Sequence, residues 1–177
     1  MILCERMINT KEYGGHVDII TGINDFKSQC TYDDMFHAYY LDGKLIPSVT
    51  QLLDEGEYAN VDEAILEYAQ FKGTLVHKEI QDYLEQGLNG FTEEFESFKE
   101  YFVNNQEKFK EKAIWDIKTY ATATPKNRLK CYKQIKMYDD GIKYLTGEKV
   151  DKYYLIHLPH NKTMKIYDLK NEFEKGE

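Results

Sequence analysis

The chain of 177 residues contains little of what marks several classes of protein. Its three cysteines, Cys4, Cys30 and Cys131, form no CxxC pair, so a disulfide framework is not expected and a reducing cytoplasm is the default. No apolar run approaches the roughly 20 residues that cross a bilayer, and Glu5 and Arg6 stand where a signal peptide would be apolar. With 42% hydrophobic residues and three prolines, the composition predicts a globular, intracellular protein with no membrane partner.

Positive charge is also in short supply, but it is unevenly distributed. The chain has 23 basic and 31 acidic residues and a net charge of −8, which argues against nucleic-acid binding over its whole surface. Residues 54–100 hold 13 acids and 3 bases, whereas residues 117–138 hold six bases and no acid. A solvated helix surface is the common explanation of an acidic stretch. The basic stretch is what a local contact with phosphates requires.

Turn signals and hydrophobic periodicity predict one α/β domain, a short mixed sheet with helices beside it. Asp42-Gly43 between two apolar runs predicts a hairpin, and Pro47-Ser48 predicts the start of a short helix that ends near Leu53. Strands are expected over 1–9, 16–21, 113–119, 153–158 and 163–169, and a loop is expected over 22–36. Helices are expected from 61 to 86, over 92–110 and over 127–146. In the last of these helices Leu129 is expected to face inward.

The segment most suggestive of chemistry is Asp116-Ile117-Lys118. An acid and a lysine two positions apart on a strand point to the same face. Burying both charges is costly unless they are used or paired. A carboxylate binds a hard divalent cation, and a neighbouring lysine orients or activates a water. The alternative is an exposed strand face with no function.

Two helical segments add polar groups at defined spacing. Gly73 and His77 lie one turn apart, which places an imidazole, a good metal ligand, beyond a residue that allows close packing. The alternative is a histidine at the edge of the core. Gln134 and Tyr138 share a face of the next helix, either as contacts to the site or DNA or as a plain helix edge.

Taken in order, GTxxH on a helix, DxK on a strand and QxxxY on the next helix resemble the PD-(D/E)XK nuclease superfamily. The resemblance is closest to its RecB-like exonuclease branch, which includes phage and CRISPR-associated members. The stretch from His37 to Thr50 is similar to the H-x-Y-x-x-(D/N)-G-x-x-x-P-S-V-T opening of phage members. The resemblance implies an α/β fold: one restriction-endonuclease-like domain with a central mixed β-sheet flanked by helices.

One part of the family pattern is displaced. Family members have a hairpin that carries an essential aspartate shortly before the DxK strand, but Lys110-Glu111-Lys112 leaves no room for it. The GGHVD motif at residues 14–18 resembles that hairpin. We therefore interpret the chain as a single domain over 1–177 with rearranged strand order, in which residues 1–28 are a relocated β-hairpin and linker and residues 29–177 are the core. The alternative is a chance match in a degenerate nuclease.

The resemblance also implies the site residues. Asp18, Asp116, the carbonyl of Ile117 and His77 would hold Mg²⁺ or Mn²⁺, and Lys118 would position or deprotonate the attacking water. The three scattered cysteines exclude the iron–sulfur cluster of some relatives. Glu5 would be a supporting acid, Glu79 is expected at the surface, and Gln81 stands where the family often has Glu. DNA contacts are expected from Gln134, Tyr138, Lys126, Arg128, Lys130 and Lys133.

The function that follows is a metal-dependent DNA nuclease, an exonuclease of phage or mobile-element type, in the cytoplasm of a bacterial host. Its expected partners are DNA and phage recombination or host defence proteins. The alternative is a catalytically idle protein of the same fold, whose acidic surface binds and inhibits a host nucleoprotein such as a CRISPR effector.

Overall fold

The computed structural model describes residues 30–33, 38–41, 43–53 and 61–174. The relocated hairpin expected within residues 1–28 lies outside this range. Along the chain the elements are β1 (Cys30–Asp33), β2 (Ala38–Leu41), β3 (Lys44–Ile46), α1 (Val49–Leu52), α2 (Glu63–Gln86), α3 (Glu93–Asn104), a 3₁₀-helix (Gln106–Lys110), β4 (Ala113–Lys118), α4 (Pro125–Thr146), β5 (Lys152–His157), β6 (Lys165–Asp168) and α5 (Leu169–Phe173).

The first three strands form an antiparallel sheet in the order β1–β2–β3. The β2–β3 hairpin predicted around residues 42–43 is confirmed, with Leu41 opposite Lys44 and Gly43 at a φ of 73°. That backbone conformation is one that glycine adopts without steric cost. The loop predicted over 22–36 is wrong over residues 30–33, because Cys30–Asp33 pairs with β2 as β1, and the rest of that prediction lies outside the described residues. A strand partner thus outweighs the polar composition of this stretch.

The short helix predicted after Pro47 is confirmed as α1 and begins with a capping box. The Gln51 backbone N–H donates to Ser48 Oγ at 3.2 Å, and the Ser48 backbone N–H donates to Gln51 Oε1 at 2.8 Å. These two bonds satisfy donors that have no partner inside the helix. They also fix the position of Thr50, which lies two residues after Ser48.

The second sheet is the centre of an α/β sandwich. β4 and β5 are parallel and are joined by the crossover helix α4, and β6 is antiparallel to β5. Successive side chains of β4 point to opposite faces of the sheet, and each face packs against its own hydrophobic core. Trp115 and Ile117 pack against α2 and α3, together with Val76, Ile80, Phe95 and Phe98. Ile114 packs on the opposite face against α4 and α5, together with Ile135, Ile142 and Leu169. The α/β class with a mixed sheet flanked by helices is therefore confirmed.

Several local expectations are corrected. Leu129 is 38% exposed rather than inward, and the strand predicted to end at 169 gives way to α5, whose N-cap is Asp168. Glu79, expected at the surface, is 6% exposed. Its carboxylate accepts from the Phe91 backbone N–H at 2.9 Å and from the Thr92 hydroxyl, so it joins α2 to the start of α3. Within the described residues, no helix has the length and apolar character needed to cross a membrane.

A buried ion cluster joins α2, α3 and the loop between β5 and β6. Glu94, 3% exposed, lies 2.6 Å from Lys72 Nζ and 3.1 Å from His160 Nδ1. Burial raises the pKa of Glu94, but the hydrogen bonds and charge supplied by Lys72, the backbone and His160 outweigh it, so the pKa lies below its usual value of 4.5. The ionised carboxylate thus stabilises the fold.

Because folding lowers the pKa of Glu94, its contribution is complete above about pH 4.5 and is lost as the pH falls through the pKa of the folded state. Glu94→Gln should therefore lower the free energy of unfolding by about 1–3 kcal/mol at pH 7, and by much less near pH 3. Urea unfolding at both pH values measures this. Glu93→Gln is the matched control, since that side chain is 66% exposed and should change little. Equal destabilisation by Glu94→Gln at both pH values would contradict the assignment.

Candidate functional site

The candidate site lies at the carboxyl end of β4, on the face that α4 covers. On this face of the strand, Ile114 belongs to the hydrophobic core. The next two residues on the same face, Asp116 and Lys118, are charged. Asp116 is completely buried, and the Lys118 side chain keeps 22% of its surface exposed. The strand thus carries a carboxylate inside the protein and an ammonium group at the surface beside it.

Asp116 is paired within the protein. Its Oδ2 lies 3.0 Å from Lys118 Nζ and accepts a hydrogen bond from the Cys131 thiol at 3.1 Å. Cys131 comes from α4 and is itself buried. A buried carboxylate without such partners would cost several kcal/mol, so the pairing explains how a core strand tolerates the DxK sequence. Sequence reasoning did not predict a role for Cys131.

Gln134 connects the lysine to two further motifs. Lys118 Nζ donates to Gln134 Oε1 at 3.0 Å, and Gln134 Nε2 lies 2.7 Å from the Tyr138 hydroxyl, one helical turn away. The same amide nitrogen lies 3.3 Å from Thr50 Oγ1. The DxK strand, the QxxxY helix and the last residue of the P-S-V-T segment therefore meet at one amide. The role of Thr50 was not predicted.

The GTxxH helix passes the same end of β4. A Cβ placed on Gly73 would lie 3.5 Å from Thr119 Oγ1, in ordinary contact with the residue that follows Lys118. His77 lies one turn farther along α2 and is half-buried. However, α2 packs through Val76 on the sheet face opposite that of Asp116. The structure thus brings the helix to the site while keeping it in the other layer.

The described part of the chain does not assemble the metal-binding set that the resemblance implies. No three side chains of His, Cys, Asp or Glu cluster there in a way that could hold a metal ion. Asp116 supplies the carboxylate, and the proposed partners Asp18 and Glu5 lie outside the described residues. The described residues alone therefore do not fit the cation that the resemblance implies.

The backbone of β4 has a further oxygen on its outer edge, the carbonyl of Ile117. The Lys118 carbonyl accepts from the Leu158 N–H at 2.8 Å and so points toward β5. Because successive carbonyls of a strand point to opposite sides, the Ile117 carbonyl points to the other edge. Among the described residues, no strand pairs with β4 at that edge. An almost completely buried strand with an open edge needs a partner for its backbone.

The predicted DNA-contacting bases divide into two groups. Lys126, Lys130 and Lys133 recur at positions that share one stripe of α4, next to the face that carries Gln134. Arg128 lies on another side of the helix, where its Nε and Nη2 atoms donate to the Glu172 carboxylate at 2.8 to 3.0 Å. Arg128 is therefore engaged in joining α4 to α5.

Comparisons of the chain with protein-family models, with curated proteins and with solved structures find no match.

Proposed function

We propose that this chain is a divalent-cation-dependent deoxyribonuclease that hydrolyses phosphodiester bonds, and that it acts as an exonuclease. The observation that carries the proposal is the contact series from Asp116 through Lys118 and Gln134 to Tyr138. Residues from two separate motifs come together as a buried acid, an adjacent ammonium group and a polar group that orients it, and this juxtaposition supports the proposal.

Lys118 is the reactive side chain in this proposal. Its stem runs from the buried strand to the surface, so its ammonium group can reach a phosphate that docks there. Nζ can donate to a non-bridging oxygen of the phosphate and to the attacking water, which places the water and stabilises developing negative charge. Gln134 restricts the orientation of Nζ through its carbonyl oxygen, and Tyr138 and Thr50 fix the amide of Gln134.

The proposal needs a cation and a second carboxylate. A divalent cation polarises a phosphate and stabilises a leaving oxygen when it is bound. Asp116 and the Ile117 carbonyl offer two oxygen ligands, and hard cations take about six or more. Asp18 would complete the acid pair. The resemblance implies His77 as a further ligand, but α2 packs on the sheet face opposite that of Asp116, so the described structure does not bring His77 to this carboxylate.

The open edge of β4 supports the relocated hairpin. That edge carries the Ile117 carbonyl, and in the described part of the chain it has no strand partner. A strand that contains Asp18 would satisfy the edge and bring its carboxylate next to Asp116. Strand pairing depends on proximity and not on chain order, so a hairpin at the amino terminus can occupy this position.

The lysine stripe of α4 supports DNA as the substrate. Lys126, Lys130 and Lys133 share a stripe of α4 next to the face that carries Gln134, so a phosphate backbone that followed the stripe would run along the helix that contacts Lys118. Contacts of this kind are independent of base sequence and weaken as salt rises.

The test is incubation of the purified chain with end-labelled linear DNA and with closed circular DNA, in Mg²⁺, Mn²⁺ or excess chelator. We expect cation-dependent release of nucleotides from linear DNA and intact circles, as an exonuclease requires. Cleavage of circles would identify an endonuclease instead. If no form of DNA is cut with either cation, the nuclease proposal fails and the acidic, non-catalytic binding protein becomes the better hypothesis.

A further inference from the structure

His157 is a polar residue at a position where the neighbouring pattern favours an apolar one. It is the last residue of β5 and pairs with Lys118 of β4, so the two side chains extend from the same face of the sheet. Tyr153 and Leu155, which precede it on that face, belong to the hydrophobic core. His157 is itself only 4% exposed. Burial of a polar ring has a cost, so its hydrogen bonds need an explanation.

The two ring nitrogens of His157 differ in their surroundings. Nε2 lies 2.7 Å from the backbone oxygen of Tyr120. A carbonyl oxygen only accepts, so Nε2 carries the proton and donates. Nδ1 is buried and has no hydrogen-bond partner among the described residues. Burial lowers the pKa of His157, and the charges of Lys165 and Lys162 add to this effect, so the neutral ring is the form present at neutral pH.

The bond from Nε2 extends the contact between β4 and β5 past the end of the strands. The Leu158 N–H donates to the Lys118 carbonyl at 2.8 Å, and His157 Nε2 donates to the Tyr120 carbonyl, two residues farther along. Ring packing orients the imidazole, whose centroid lies 5.3 Å from that of Tyr120 and 6.4 Å from that of Tyr167. The backbone from Lys118 to Tyr120 is therefore fixed to β5 at both of its ends.

The position of the Lys118 ammonium group depends on this backbone. Nζ makes two contacts of 3.0 Å, one to Asp116 Oδ2 and one to Gln134 Oε1. Both partners are buried in close-packed surroundings and cannot follow a shift of the lysine. Release of residues 119–120 from β5 would let the end of β4 move and would change where Nζ meets a phosphate. A misplacement of about 1 Å at a reacting group can cost about 10²-fold in rate.

We infer that His157 is a positioning residue for the proposed nuclease reaction, whose bond from Nε2 to Tyr120 holds the end of β4 where Lys118 can act on the phosphate and the water. The inference rests on the proposed function and adds a residue that none of the sequence motifs contains. The imidazole transfers no proton and makes no bond to the substrate. It acts through the backbone of residues 118–120.

Three variants test the inference. His157→Leu removes the donor, whereas His157→Gln keeps an N–H donor at the end of a side chain of similar reach. Tyr153→Phe is the matched control, because Tyr153 lies on the same face of β5, four residues before His157. Its hydroxyl donates a buried hydrogen bond to Asp139 Oδ2 at 2.6 Å. His157→Leu and Tyr153→Phe should both lower the Tm, since each removes one buried hydrogen bond.

The rates should separate the variants. For His157→Leu we expect kcat on linear DNA to fall by about 10- to 100-fold while KM changes by less than about twofold, because the bond positions Lys118 and does not hold the DNA. His157→Gln should return kcat to within about threefold of wild type, because the amide supplies the same donor. Tyr153→Phe should leave kcat unchanged once the fraction folded is taken into account.

The tautomer of His157 is checked in the wild-type protein without an activity measurement. A ¹⁵N–¹H spectrum of the histidine rings, assigned by the signals that His157→Gln removes, should show the proton on Nε2. A neutral His157 with its proton on Nδ1 overturns the inference, since Nε2 then has nothing to donate.

A histidine that only stabilises the fold would give the pattern of the control, a lower Tm with kcat unchanged, and this result overturns the inference. So does a folded His157→Gln variant that is as slow as His157→Leu. Wild-type protein that cuts no DNA overturns the proposed function, and the inference with it. Active wild type with an equally active His157→Leu overturns the inference alone.

Discussion

Replacing Lys118 with methionine is expected to reduce cation-dependent DNA hydrolysis by about 10²- to 10⁴-fold, because the group that holds the water and the phosphate is gone. The same change should destabilise the protein by about 3–5 kcal/mol, since Asp116 would be left buried without its charged partner. Initial rates on linear DNA and urea unfolding at pH 7 measure the two effects.

The double variant Asp116→Asn with Lys118→Met separates these effects. Removing both charges eliminates the unpaired carboxylate, so most of the lost stability should return, while hydrolysis should stay at the level of Lys118→Met. Lys133→Met is the matched control: this lysine is exposed on the stripe of α4 next to the face that carries Gln134, and its loss should weaken DNA binding and leave kcat unchanged. A Lys118→Met variant that hydrolyses DNA at the wild-type rate would refute the proposed role of the lysine.

Local sequence signals predicted best those elements whose ends carry a turn residue or a helix-capping residue. Gly43 in the hairpin turn, the Ser48 cap and the Thr92 cap all lie where a specific backbone geometry or a hydrogen bond selects the residue. Pro125 occupies the first turn of α4, where proline fits, so this helix begins two residues before its predicted start.

The errors have a common cause in packing between distant parts of the chain. Glu79 is buried because the start of α3 folds back onto it, and that contact spans twelve residues. Leu129 has helical spacing from buried positions of α4 but keeps 38% of its surface exposed. Periodicity predicts which residues share a face but not which part of that face another element covers.

The candidate site shows the same division. Strand alternation predicts that Asp116 and Lys118 share a face. Helical spacing predicts that Gln134 reaches Tyr138. The contacts of Cys131 and Thr50 depend on how α4 docks on β4 and how α1 docks on α4, which no local pattern encodes. Motif order predicted that the segments belong together, and the docking determines which additional side chains join them.

Asp18→Asn is expected to reduce hydrolysis by at least about 10²-fold and to raise the concentration of Mg²⁺ needed for half-maximal rate, because a hard cation would lose one of two carboxylates. The described residues at the end of β4 supply one carboxylate and one carbonyl oxygen, which are too few ligands for a cation site. A second acid must therefore come from elsewhere in the chain if the site binds a cation. Titration of Mn²⁺ into wild type and variant by calorimetry measures binding independently of hydrolysis.

Asp25→Asn is the control for this change, because it removes a carboxylate from the same segment but from outside the GGHVD motif. It should bind Mn²⁺ and cut DNA as wild type does. If Asp18→Asn also behaves as wild type while Asp116→Asn loses both properties, the relocated hairpin is wrong and the open edge of β4 has a different partner. If both aspartate variants lose Mn²⁺ binding and Lys118→Met keeps it, the two acids hold the cation. The lysine then acts on the water and the phosphate, as the contact series implies.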